Sequence, residues 1–255
     1  SVVGLGALLI FMWLRGETML WHNPDATSAL GIGLLVLSGA AAAIATILLY
    51  EALTKGPVSL SSPVVSSYPA LAMPISIAFG ARPEWWHWLA MLITLGGIWL
   101  VALVVSSGNN WREQYDGAVI RRSILLSVGG ALGFAITLIA ADKAIEIYGP
   151  WQTMVATRIV GGLMFISWFL LRREAPSFYP RLWPILIALS ILDTMGYLGV
   201  YIGLGYPNGE FAIVASSAYS VVAVILARIF LREPVNLAQW AGVALVVGGI
   251  ALLSR

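Results

Sequence analysis

The chain has no cysteine and only two histidines in 255 residues. Disulfides, thiolate metal sites and a cysteine nucleophile are therefore excluded. His22 and His87 stand beside predicted helix ends, without a metal-ligand spacing such as HExxH. A phosphate-binding GxxxxGK followed by Ser or Thr is also lacking, so ATP hydrolysis by this chain is not expected. Charge is scarce: Asp, Glu, Lys and Arg make up 10% of the residues, against roughly 25% in a soluble domain. With 14 Lys+Arg against 12 Asp+Glu and a net charge of +2, there is no basic patch for nucleic acid. A soluble chain of this length could not cover its surface with so few charges. The expectation is an integral, multi-pass membrane protein whose partner is the lipid bilayer, with no cofactor, no metal and no nucleic acid.

What is abundant is long apolar sequence. Hydrophobic residues make up 60% of the chain. Apolar runs cover about 28–50, 57–80, 85–105, 123–146, 151–171, 183–206, 209–231 and 236–253, broken at turn residues such as Gly56-Pro57, Gly149-Pro150 and Pro207-Asn208-Gly209. Lipid offers no partner to an open backbone, so runs of this length must be helices. Barrel strands would be about half as long and alternate in polarity. Trp21, Trp85, Trp86, Trp88, Trp111, Trp151, Trp183 and Trp240 fall near predicted segment ends, where an amphipathic ring prefers the headgroup region. Trp99 and Trp168 lie deeper, as packing or lipid-facing rings. The opening run "SVVGLGALLIFMWL" is shorter than the roughly 20 residues a spanning helix needs. It reads as the second half of a helix whose start precedes residue 1.

The chain also repeats itself. "HWLAMLITLGGIWL" (87–100) aligns with "QWAGVALVVGGIAL" (239–252), "VVSSYPAL" (64–71) with "VASSAYSVV" (214–222), and "LLIFMWLRGE" (8–17) with "FISWFLLRRE" (165–174). Three matches in one order, separated by about the same distance, indicate a duplicated unit. Residues 1–105 form the first repeat, N-terminally truncated; 106–122 is the connecting loop; 123–255 is the second repeat. The second repeat holds five helices. Five is odd, so the copies must enter the membrane from opposite sides. The predicted fold is all-α and polytopic, two inverted five-helix repeats, ten helices in full with about eight and a half present.

An arginine-ended helix ("FLLRRE"), a Ser-rich helix and a last helix opening after a short charged turn ("FLREPVNLAQWAGVALVVGGIALL") complete the pattern. With five-plus-five helices, it resembles the EamA-like transporters of the drug/metabolite transporter superfamily. The resemblance spans the whole chain. It implies secondary transport of small metabolites, amino acids or drugs by alternating access, in a bacterial or archaeal cell (inner) membrane. It also implies a central cavity walled by the first, third, fourth, sixth, eighth and ninth helices of ten.

The polar residues inside predicted helices are the candidate site. Asp193 lies in "ALSILDTMGYLGVYIGL" (188–204). A charged Asp at a helix centre costs about 2.5–3.5 kcal/mol on insertion scales, so it normally faces a partner or a wet cavity. At helical spacing Asp193, Tyr197 and Tyr201 form one stripe, while Gly196, Gly199 and Gly203 form another, suited to close helix packing. Asp193 is a candidate for binding substrate or carrying a proton; its bland alternative is a structural ion pair. Arg158 can snorkel to the interface or pair with Asp193. Asp142, Lys143 and Glu146 form a solvated rim, in which Lys143 matches a basic position of the family's first helix and is a candidate gating residue. Ser59, Ser62 and Ser66 line one side of 57–80, and Ser216, Tyr219 and Ser220 line the equivalent helix. Such small polar stripes serve packing or, near kinks left by prolines like Pro63, Pro69 and Pro74, substrate binding.

The basic residues divide unevenly. Arg15, Arg82, Lys143 and Arg255 fall on the side of the C-terminus; Lys55, Arg112, Arg121, Arg122, Arg172, Arg173, Arg181, Arg228 and Arg232 fall on the other. The positive-inside rule then puts the C-terminus outside, whereas the family resemblance implies a cytoplasmic C-terminus. Two other functions compete with transport. An intramembrane enzyme would need an activating base for its serines, and the chain has no GxSxG and no histidine well inside a helix. A non-transporting scaffold would carry no central polar cavity.

Overall fold

The structure, a computed structural model, describes residues 2–16, 27–56, 61, 64–78, 80, 82–107, 116–172, 183–207, 209–217 and 237–253. Among these residues every regular element is helical. In chain order they are α1 (Val2–Arg15), α2 (Ala29–Lys55), α3 (Pro69–Ala78), α4 (Trp85–Ser107), α5 (Gly117–Tyr148), α6 (Pro150–Arg172), α7 (Trp183–Leu204), α8 (Glu210–Ser216) and α9 (Leu237–Leu253).

The ends of these helices follow local chemistry. Ser28 caps α2, its Oγ accepting the Gly31 N–H at 3.0 Å. At the α5–α6 junction Gly149 adopts φ 81°, a conformation that costs an L side chain free energy and glycine none. Its N–H donates to the Ile145 carbonyl at 2.8 Å. Pro150 then opens α6, at a position where a backbone N–H has no intrahelical partner to lose. The predicted run 57–80 is less regular than expected. A helical stretch at 64–66 meets a turn at Ser67 and Tyr68 before Pro69 begins α3. The Ser67 and Tyr68 N–H groups reach back only three residues, to Val64 and Val65. Pro69 has no N–H to continue the four-residue ladder, and the tighter bonds take over.

Within the described residues α2, α5, α6 and α7 are each long and apolar enough to cross a bilayer. Large apolar side chains point outward along them: Leu125 is 65% exposed, Leu163 59% and Leu192 65%. In water such faces would drive aggregation; in lipid they are solvated. The protein is an all-helical, polytopic integral membrane protein.

The chain forms two compact units, Ser1–Ala43 with Ile136–Gly209 and Ile44–Ala135 with Glu210–Arg255, so the boundary falls inside α2 and again inside α5. In the first unit α1, α6 and α7 pack together, and Leu35, Ala144 and Tyr148 form a buried cluster. Two glycines set its close approaches. A Cβ on Gly39 of α2 would stand 2.9 Å from the Thr157 carbonyl of α6. A Cβ on Gly4 of α1 would collide with the Thr194 hydroxyl and stand 3.1 Å from the Ser190 carbonyl of α7. The packing face of α7 towards α1 is thus Ser190–Thr194. Among the described residues a Cβ at Gly196 or Gly199 would meet nothing within 4 Å, so two of the three glycines of the expected packing strip make no close helix contact there. The small residue that permits contact sits on the partner helix.

In the second unit α4 packs along α9. A Cβ on Gly97 would stand 2.7 Å from the Gly242 carbonyl and 2.8 Å from Val246 Cγ2. A Cβ on Gly249 would collide with the Thr94 hydroxyl and stand 2.9 Å from the Ala90 carbonyl. In the repeat alignment Gly97 matches Gly249, Thr94 matches Val246 and Ala90 matches Gly242. The contact is therefore reciprocal, as across a two-fold axis. The late part of each helix meets the early part of the other, so the two copies of this segment run antiparallel. Inverted repeats require that relation. Beside this seam Met73, Ala90, Met91 and Val214 form a buried cluster.

Candidate functional site

The polar residues fall into three groups. The first joins α6 to α7. Arg158 and Asp193 both lie well inside spanning helices. Arg158 Nη2 is 2.8 Å from Asp193 Oδ2. The contact is an ion pair by distance, yet among the described residues the buried Nη2 has no hydrogen-bond acceptor, so its N–H bonds are not aimed at the carboxylate. The guanidinium carbon lies 4.9 Å from the Tyr197 ring centre, within cation–π range. The Arg158 side chain is 18% exposed and that of Asp193 50%. Asp193 and Tyr197 are one helical turn apart on α7, and Arg158 reaches both. Two members of the sequence stripe, Asp193 and Tyr197, form one assembly with the neighbouring arginine.

Tyr201, the third member of the stripe, belongs to a separate set of hydroxyls. It is 1% exposed. Its hydroxyl is 3.5 Å from Ser38 Oγ on α2, which is 3.3 Å from Thr157 Oγ1 on α6 and donates to the Thr137 carbonyl of α5 at 3.1 Å. The close backbone approach at Gly39 lets Ser38 reach Thr157. Ser38, Thr137 and Thr157 were not singled out in the sequence. The traces they left were a Thr153–Thr157 spacing of one turn and a serine beside the glycine of "LSGAAAA". Each such bond between helices in a membrane contributes about 0.6 kcal/mol on average.

The second unit holds its own group, around the turn before α3. The Tyr68 hydroxyl bonds Ser216 Oγ of α8 and lies 3.3 Å from the Ile213 carbonyl. Ser216 also donates to that carbonyl, at 2.9 Å, so the two hydroxyls and the Ile213 carbonyl form one closed polar set. Ser66 is fully buried, and Ser67 Oγ accepts the Trp99 indole N–H at 2.9 Å, giving that deep tryptophan a packing role. Ser61 and Ser123 join at 2.8 Å. Ser62, Tyr219 and Ser220, predicted as substrate-binding, lie outside the described residues, as do Ser59 and Pro63.

Lys143, near the end of α5, contacts Glu146 at 2.6 Å and Asp142 at 3.5 Å. All three side chains are partly exposed. Among the described residues no three His, Asp or Glu side chains could hold a metal ion together. A cavity of about 400 Å³ opens between α1, α6 and α7, lined by Phe11, Trp151, Ile191, Met195, Leu198 and Ile202 among others. It is apolar, and on α7 it uses a different face from Asp193 and Tyr197.

Comparison with known proteins agrees with this architecture. The sequence profile of the EamA-like transporter family matches residues 1–103 and 121–255. An uncharacterized transporter of Bacillus subtilis, YwfM, is 22% identical over 266 residues, covering 99% of this chain and 81% of that protein. An uncharacterized transporter of Archaeoglobus fulgidus is 22% identical over 205 residues, covering 80% of this chain and 70% of that protein. A crystal structure of a protein 20% identical to this one superimposes with a TM-score of 0.75, covering 99% of this chain and 83% of that one.

Proposed function

The chain belongs to the EamA-like transporter family, and from that premise we propose that it is a secondary active transporter of small metabolites, amino acids or drugs, working by alternating access and coupled to protons. Its transporter role rests on the family. The finer reading rests on one observation, the Arg158–Asp193 pair inside two spanning helices. Placing an Arg or an Asp at the centre of a membrane helix costs about 2.5–3.5 kcal/mol each, and such residues mark substrate or proton pathways. A purely structural role would favour tight, well-aimed hydrogen bonds. This pair is half open and poorly aimed.

In this proposal Asp193 and Tyr197 contact the substrate and Tyr201 supports them from the buried hydroxyl set. Ser62, Ser66, Ser216, Tyr219 and Ser220 supply the polar contacts of the serine-rich segments, and Arg158 and Lys143 act as charge-pairing or gating residues. The break in the helical ladder before Pro69 supports a role for that segment, because irregular backbone in a membrane is tolerated where it is packed in protein or lines a cavity. The sources of the relatives support placement in a bacterial or archaeal cell membrane. A thermal-shift screen on the purified protein followed by flux in proteoliposomes, with and without a pH gradient, tests the reading. Flux should follow the gradient in the wild type and lose that dependence in Asp193→Asn. Unchanged flux and unchanged pH dependence in the variant would defeat it.

A further inference from the structure

We propose that Arg158 is the binding site for the carboxylate group of a small soluble metabolite, and that this carboxylate displaces Asp193 from the guanidinium as Asp193 takes up a proton. The inference rests on the transporter reading above and adds the substrate's chemistry to it. The guanidinium carbon stands over the Tyr197 ring at 4.9 Å, and the N–H bonds of a guanidinium point outward from the edge of its plane. A planar carboxylate is the group that fits such an edge with two parallel hydrogen bonds. Asp193 is close enough to neutralise Arg158 and does not fill that geometry, since among the described residues Nη2 has no well-aimed hydrogen-bond acceptor. A buried charged donor without an acceptor is costly, so an incoming carboxylate has something to gain that the resident one does not supply. Asp193 is half exposed, so it has room to move aside.

Charge balance gives the proton its place. In the first unit α1, α6 and α7 contribute Arg158 and Asp193 as the charged side chains within residues 2–14, 150–171 and 183–204. On the part of α5 that belongs to this unit, from Ile136 onward, the charged groups are Asp142, Lys143 and Glu146, with Lys143 paired to both acids. The remaining titratable side chains there are the phenols Tyr148, Tyr197 and Tyr201. A second carboxylate entering beside an ionised Asp193 would leave an uncompensated negative charge in lipid. With one proton taken up by Asp193, the free site plus carboxylate plus proton becomes Arg158 paired to the ligand and a neutral Asp193. The net charge is the same before and after, and no bond other than the O–H bond is made.

Titration calorimetry of the purified full chain, in buffers of different ionisation enthalpy, reads the proton directly on the wild type. The probes are propionate, benzoate and alanine, each beside its amide, with laurate as a lipid-like acid. Close to one proton should be taken up per acid bound, and the amides should not bind. Wild-type affinity should strengthen up to about tenfold per unit fall in pH, the limit for one linked proton. Asp193→Asn should bind the acids with no pH dependence, Arg158→Gln should lose binding, and Arg158→Lys should bind about tenfold more weakly. Zero proton uptake, equal binding of acids and amides, unaltered binding by Arg158→Gln, or binding of laurate alone would each overturn the proposal. Flux of neutral or cationic solutes without any carboxylate binding would overturn it and leave the transporter reading standing. Carboxylate binding with proton uptake but no flux of any solute would do the reverse.

Discussion

Two helix pairs in this protein are held together by opposite means. Between α4 and α9 the contact is backbone against backbone, with Gly97 and Gly249 allowing approaches that a Cβ would block. Between α6 and α7 a cation and a carboxylate face each other inside spanning helices. Dispersion and close packing are the cheap way to join helices in lipid, because the tails are as apolar as the side chains. Ionised groups are the expensive way. The first seam is antiparallel and reciprocal, and nothing about it asks for chemistry beyond packing. The second is retained at a cost, in a geometry that leaves Arg158 Nη2 without an acceptor among the described residues. The difference teaches where in the molecule stability was the criterion and where function was.

Breaking the charged pair should give the largest effect. Arg158→Leu leaves Asp193 alone and should abolish transport. It should also lower stability by about 2–3 kcal/mol, below the range for removing one partner of a fully buried pair because Asp193 is half exposed. The interchange Arg158→Asp with Asp193→Arg sharpens the comparison. It should recover most of the stability, read by thermal melting in detergent, and none of the flux; recovery of both would make the pair structural. Gly97→Leu and Gly249→Leu come next, each destabilising by roughly 1–3 kcal/mol through overpacking. Their reciprocity predicts similar losses of folded protein by size-exclusion chromatography, and a neutral outcome for either would refute the seam. Ser38→Ala should lower stability by about 0.6–1.7 kcal/mol, since Tyr201 and Thr157 lose a shared partner. Lys143→Met, at an exposed rim, should change stability by about 0–1 kcal/mol; a larger drop, or a loss of flux at unchanged stability, would move Lys143 from rim to gate.

Much of the fold was legible before any coordinates, for a physical reason. In lipid every backbone group must be satisfied within its own segment, so apolar length alone dictates helix. Gly149-Pro150 announced its turn through the conformational limits of those two residues. The i, i+4 spacing of Asp193 and Tyr197 put them on one face, and the odd number of helices in the repeat implied opposite insertion, with which the antiparallel α4–α9 seam agrees. Other features were not legible. Gly196 and Gly199 read as a packing strip, yet the close contact on α7 comes from Gly4 of another helix, because a small residue permits approach only where a neighbour is present. Ser38 looked like any serine in a run of alanines until α2 and α6 met at Gly39.

The pattern of apolar and polar residues by itself determined that this chain spans a membrane as helices, where those helices stop, and that a carboxylate stands inside one of them. Those outcomes depend on interactions within one segment and on its solvent. Which helices touch, which hydroxyls share a proton, and how Arg158 meets Asp193 were decided only by the tertiary structure. Such contacts join residues as much as 163 positions apart, as Ser38 and Tyr201 are, and they depend on tenths of an ångström of backbone approach that no local spacing encodes.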